Sequence, residues 1–145
     1  MLAQLRRHAR AAYPLECCGA LVGRVRRGSS AAPREVIRAV PLDNAWAPEE
    51  GARRQRYLIP GAALRAVERD SEREGLEVVG FYHSHPDAPP VPSAFDREHA
   101  WPWYAYLIVS VNLGDAGPVA AWRLGDDRSR FEEDPVVVIR EGPRA

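Results

Sequence analysis

The chain contains no lysine. All twenty of its basic residues are arginine, and twenty aspartates and glutamates balance them, so the formal net charge is zero. That balance argues against a general nucleic-acid binder, which needs a basic face. The local clusters, Arg24, Arg26 and Arg27 and then Arg53, Arg54 and Arg56, read as solvated faces. Cysteine is nearly absent, for Cys17 and Cys18 are the only two and they are adjacent. Neighbouring thiols cannot staple distant segments, and two are too few for a cysteine-only zinc site. They read as small packing residues in a reduced, cytoplasmic protein. Long apolar runs are missing as well. Nothing approaches the ~20 apolar residues of a membrane span, and residues 1–14 lack the apolar core of a secretory signal.

What is present suits one domain over residues 1–145, of a length that buries roughly two thirds of its unfolded surface. Folding at that size needs neither a metal nor a disulfide, so any metal is expected to serve chemistry.

Residues 2–12 carry Leu2, Leu5, Ala9 and Ala12 on one helical face, ahead of Pro14. Strands are expected over 17–25 and 34–42, the first with glycines that mark close backbone approach. A long polar connection, 43–56, leads to a short strand at 57–60. A helix over 61–74 then turns Leu64 and Val67 inward. Residues 76–83 form a short apolar run that reads as a buried strand, and 103–113 is the strongest strand signal in the chain. Two more strands are expected, in 116–124 and 134–141. Strands and helices do not alternate regularly, so the expected class is α+β, one mixed sheet flanked by helices.

The apolar run of 76–83 ends in His83-Ser84-His85-Pro86. Residues two apart on a strand face the same side, roughly 6.5–7 Å apart along the chain. Both imidazoles can therefore address one ion, while Ser84 faces away. Pro86 cannot continue a central strand, which places the pair at a strand end. Downstream, Ser93-Ala-Phe-Asp96 has the form of a capping box, which explains both residues without chemistry. The same box would hold Asp96 rigidly. Two neutral histidines and a carboxylate leave a fourth tetrahedral position open, as catalytic zinc sites do, and zinc there depresses the pKa of water towards ~7. Glu16, at a helix-to-strand junction, reads by itself as an exposed turn residue. His99 reads as a helix-surface residue, and His8 has no evident partner.

Taken together these segments resemble the JAMM metalloproteases, also called the MPN+ domain. The pattern is a distant Glu, then His-x-His, ten residues, and Asp. Here it reads Glu16, His83 and His85, ten residues, and Asp96, with the family's serine as Ser93. The segments PLECCGALVG and VVGFYHSHP resemble the family's glutamate and histidine segments.

The resemblance implies a cytidine-deaminase-like JAMM/MPN fold with a curved mixed sheet. It implies one Zn2+ on His83, His85 and Asp96, with Glu16 as general base and Ser93 helping to orient water or stabilise an oxyanion. The substrate it implies is the amide after the C-terminal Gly of a ubiquitin-like or sulfur-carrier protein. A Cys, a Lys or a peptide would stand on the leaving side, for instance a cysteine released during cysteine biosynthesis. The chain lacks counterparts of the insertions that bind a second ubiquitin, and it is most similar to the small free-standing bacterial members. An extended Gly-Gly tail could pair with the strand beside the site, with Asn44 and Trp46 as possible contacts. A monomer and a homodimer both remain open. So do two other classes, a non-catalytic MPN-type scaffold for ubiquitin-like proteins and a RadC-like relative tied to DNA.

Overall fold

Leu5 and Ala9 are completely buried along the inner face of α1 (Leu2–Ala12), as their spacing predicts. The computed structural model describes residues 1–27, 32–46 and 50–140, so residues 47–49 of the polar connection and residue 141 of the last expected strand lie outside the described residues. After α1 come β1 (Cys18–Val25), β2 (Arg34–Leu42), a 3-10 turn (Glu50–Arg54), α2 (Gly61–Arg73), β3 (Glu77–Pro86), α3 (Ala94–His99), β4 (Ala105–Asn112), β5 (Asp115–Leu124) and β6 (Phe131–Asp134). Among the described residues no helix is long and apolar enough to cross a membrane.

The sheet runs β2-β1-β3-β4-β5-β6, and among the described residues only β3 and β4 pair in parallel. It is the mixed sheet of an α+β domain. Leu5 and Ala9 of α1 pack with Leu21, Val79, Tyr82, Leu107, Val109 and Val111 on one face. Val67 of α2 packs with Ala20, Val22, Phe81 and Tyr106 on the other. The sheet is thus a central layer, and its middle strands are apolar on both sides. Gly80 lies where β3 and β4 approach closely, for a Cβ there would stand 2.1 Å from the Ala105 carbonyl oxygen.

A bulge decides what β3 presents to each face. Leu21 pairs with Gly80 and Val22 with Val78, which leaves Val79 as an extra residue. Val79 therefore joins the α1 face while Phe81 faces α2. In an unbroken strand those two side chains would share a face. His83 and His85 follow the alternation of Phe81, and Ser84 follows that of Tyr82.

Three expectations are corrected. Residues 57–60 are not a strand: Leu58 bonds through its N–H to Asn44 Oδ1 and through its C=O to Ala45 N–H, so a loop rather than a ladder holds it. β3 does not stop short of the proline but runs to Pro86, which pairs with Val111 of β4. Pairing with β1 ends at His83, so on that side the missing N–H of Pro86 has no ladder to interrupt. The last strand is Phe131–Asp134, and residues 135–140 are exposed and outside any strand. Continued in register, Pro135 would stand across from Ala120, and Pro118 lies two residues further along β5. Prolines on both strands remove the donors that further pairing needs.

Candidate metal centre

His83 and His85 sit at the end of β3, 1% and 7% exposed, and Asp96 in the first turn of α3 is 8% exposed. The structure brings all three together, with one donor atom from each within 4.8 Å of the others. His83 Nε2 and His85 Nε2 face each other at 3.1 Å. Asp96 completes the group, Oδ1 lying 3.3 Å from His83 Nε2 and Oδ2 3.2 Å from His85 Nε2. Outside this triangle, His85 Nδ1 lies 2.9 Å from the Pro89 carbonyl. A carbonyl only accepts, so Nδ1 carries the proton and neutral His85 presents a lone pair at Nε2.

Burial pushes the pKa of His83 down, despite the opposing pull of Asp96. Burial on its own would raise Asp96. Hydrogen bonding to His83, with the Ser93 N–H, outweighs it and holds the carboxyl well below the usual range. The set is therefore two imidazoles, of which His83 at least is kept neutral by burial, and one carboxylate. That is the donor chemistry of a tetrahedral zinc site with one position open.

The capping box is present in full. Ser93 Oγ accepts from Asp96 N–H at 3.1 Å, and Asp96 Oδ2 accepts from Ser93 N–H at 2.8 Å. Oδ1 takes no part in the cap and faces His83. Ser93 itself is exposed, and the cap uses only a lone pair of its hydroxyl, so the hydroxyl hydrogen remains free.

Glu16 departs from the reading it has in isolation: it is 4% exposed, and its Oε2 is buried with no partner among the described residues. The register of β1 on β3 sets Cys18 opposite His83. One step further, Cys17 C=O accepts from Ser84 N–H at 3.1 Å and Cys17 N–H donates to Ser84 Oγ at 2.8 Å. Continued one residue further, the same alternation would set Glu16 across from His85. Burial first, and repulsion from Asp96 second, push the Glu16 carboxyl up to about 9. A cation neutralising Asp96 would remove that repulsion and draw the Glu16 carboxyl back down.

Tyr57 was missed in the sequence, where it reads as a strand residue without a functional signal. Its ring stacks on His83, centroids 4.6 Å apart and planes 25° apart. Around the mouth, Trp46 meets Phe95 edge-on at 5.2 Å, and the Arg56 guanidinium lies over both rings. His99 is an exposed helix residue stacked on Phe95, as expected. His8 does have a partner, since its Nδ1 lies 2.8 Å from the buried Tyr82 hydroxyl. Cys17 and Cys18 are buried, and burial raises their thiols to about 11 and about 12, which suits packing rather than chemistry.

Residues 1–125 match the family model described as prokaryotic homologs of the JAB domain. A desampylase of Haloferax volcanii is 39% identical over 111 residues, 76% of this chain and 73% of that protein. A protein of Thermus thermophilus named probable TtuB-protein conjugate cleaving protease is 35% identical over 102 residues, 70% of this chain and 60% of that protein. The solution structure of a protein from Salinibacter ruber superposes with a TM-score of 0.70 at 37% identity, covering 99% of this chain and 90% of that one. A JAB1/MPN domain protein of Archaeoglobus fulgidus, at 18% identity, 96% and 94% coverage and a TM-score of 0.57, shares the fold.

Proposed function

The chain belongs to the prokaryotic homologs of the JAB domain, and on that premise we propose that it is a zinc-dependent isopeptidase acting on conjugates of a ubiquitin-like or sulfur-carrier protein. The relatives' names carry the substrate class, cleavage of protein conjugates. A single observation carries the chemistry: a buried Glu16 carboxyl whose Oε2 has no partner among the described residues and which lies close enough to Asp96 to be repelled by it.

His83, His85 and Asp96 would hold the ion. Zinc there supplies Lewis acidity, polarising a carbonyl oxygen and making hydroxide available near neutral pH. Glu16 acts as general base, accepting a proton at Oε2 and passing it to the leaving amine. Its burial keeps bulk water from competing for that proton. The free hydroxyl hydrogen of Ser93 donates to the oxygen on which charge develops. Pro89 holds the His85 ring through its carbonyl, and the cap at Ser93 fixes the Asp96 carboxylate. An extended Gly-Gly tail suits a narrow approach, since its backbone can come close to the site without side chains.

A non-catalytic scaffold would leave the Glu16 carboxyl a buried cost with no use. The deciding experiment incubates ubiquitin-like carrier conjugates with zinc-loaded protein and with Glu16→Gln, followed by mass spectrometry. Free carrier ending in its C-terminal Gly is expected with the first only. Equal cleavage by both proteins rejects Glu16 as the base, and cleavage by neither rejects the isopeptidase reading.

A further inference from the structure

All four hydrogen-bonding positions of the Asn44 amide are used. Nδ2 donates to the Glu16 carbonyl at 3.1 Å and to the Arg56 carbonyl at 3.0 Å. Oδ1 accepts from the N–H groups of Trp46 and Leu58, each at 3.1 Å. Two carbonyls on one side and two N–H groups on the other fix which end of the amide is which. The identity of these partners is the point. One is the backbone of Glu16, and two are the backbone groups on either side of Tyr57, whose ring stacks on His83 at 4.6 Å. The Glu16 N–H, in turn, donates to the Arg53 carbonyl at 2.8 Å. Both backbone groups of Glu16 are therefore held, by the Asn44 side chain and by the Arg53 carbonyl, so the position of its carboxyl depends on those two residues.

We infer that Asn44 is a positioning residue of the metal centre, setting Glu16 and the Tyr57–His83 stack as one unit. Its amide is spent on this bracing, which removes it as a contact for a substrate tail. Asparagine is the side chain the geometry needs. Aspartate keeps both acceptor bonds but turns a carboxylate oxygen toward two carbonyls. Alanine leaves four backbone groups without their partner. Tyr57 contributes its ring face: it fixes the plane of His83 and shields it from water, work that phenylalanine can also do.

The test has one arm independent of catalysis. Metal-free protein is titrated with zinc against a chromophoric chelator, for wild type, Asn44→Asp, Tyr57→Phe and Tyr57→Ala, beside thermal melts. Asn44→Asp and Tyr57→Ala are expected to weaken zinc binding about tenfold, the scale seen when groups supporting metal ligands are lost, and Tyr57→Phe less than about twofold. The rate arm rests on the isopeptidase reading: on a cleavable conjugate, Asn44→Asp is expected to lower kcat about tenfold or more with KM nearly unchanged. Lowered melting temperature with zinc affinity kept within about twofold, after correction for folded fraction, would make Asn44 a fold brace only and overturn the inference. Should Asn44→Asp fail to fold, the tyrosine pair decides, because wild-type zinc affinity in Tyr57→Ala overturns it too. If wild type cleaves nothing, the function reading falls and the zinc arm still stands.

Discussion

Ser84 Oγ accepts a hydrogen bond from the Cys17 N–H at 2.8 Å, in the buried interior. The residue between the two histidines thus grips the residue next to Glu16, and the two halves of the site are joined through the sheet. Ser84→Ala should orphan that N–H and cost about 1–3 kcal/mol of stability. The variant should also lose activity beyond its loss of folded protein, because the segment next to Glu16 is then tied to β3 by one bond, from the Ser84 N–H to the Cys17 carbonyl, instead of two. Denaturant melts and specific activity measured together check this. Unchanged stability would mean that water takes over the bond.

Glu16 makes stability pH-dependent in the metal-free protein. Its carboxyl lies at about 9 in the folded chain and near the ordinary glutamate value when unfolded. Between those values the folded state binds the extra proton, so stability falls as pH rises. The contribution is fully present below the unfolded value and gone once pH passes the folded one. In that window the slope should approach ~1.4 kcal/mol per pH unit, and Glu16→Gln should abolish it. Unfolding curves at pH 5, 7 and 9 test this, and equal slopes in the two proteins would refute it.

In the zinc-loaded protein, Glu16→Gln should keep its metal and lose about 10²–10⁴-fold in rate, the usual share of a general base. Metal content by elemental analysis and turnover by mass spectrometry separate loss of base from loss of ion.

Ser93 has two roles that one substitution can separate. Aspartate caps helices about as well as serine, so Ser93→Asp should keep stability to within about 0.5 kcal/mol. An ionised carboxylate has no hydrogen to donate, and activity should fall about 10²-fold or more, as when an oxyanion donor is deleted. Wild-type turnover in that variant would confine Ser93 to capping.

Gly80→Ala should be among the most damaging small substitutions in the core. Its Cβ would meet the Ala105 carbonyl at 2.1 Å, in the parallel pairing that carries His83 and His85. Moving either strand costs roughly 2–4 kcal/mol or more. Soluble yield and melting temperature measure it.

Local periodicity made much of this protein legible. The face of α1, the limits of β2, the same-side placement of His83 and His85, and the capping box of Ser93 and Asp96 all arise from interactions a few residues apart. Residues 135–140 show where such reading fails. They are strand-like in composition, yet a strand needs a partner with free donors, and prolines at 118 and 135 remove them. The strand expected at 57–60 fails for a related reason, since Asn44, a side chain 14 residues from Leu58, takes its N–H.

The sequence by itself determined the chemistry available: two imidazoles at strand spacing, a carboxylate held by its own cap, and a glutamate too distant in the chain to assign without a family resemblance. Only the tertiary structure decided the environment. The β1–β3 register set Cys18 opposite His83 and so carried Glu16 towards the histidines, and the Val79 bulge turned both histidines to the face where α3 brings Asp96. Packing of that face then buried Glu16 and pushed its carboxyl up to about 9. Residue types and short spacings are properties of the chain, whereas register, burial and the electrostatics that follow exist only once distant segments share an interior.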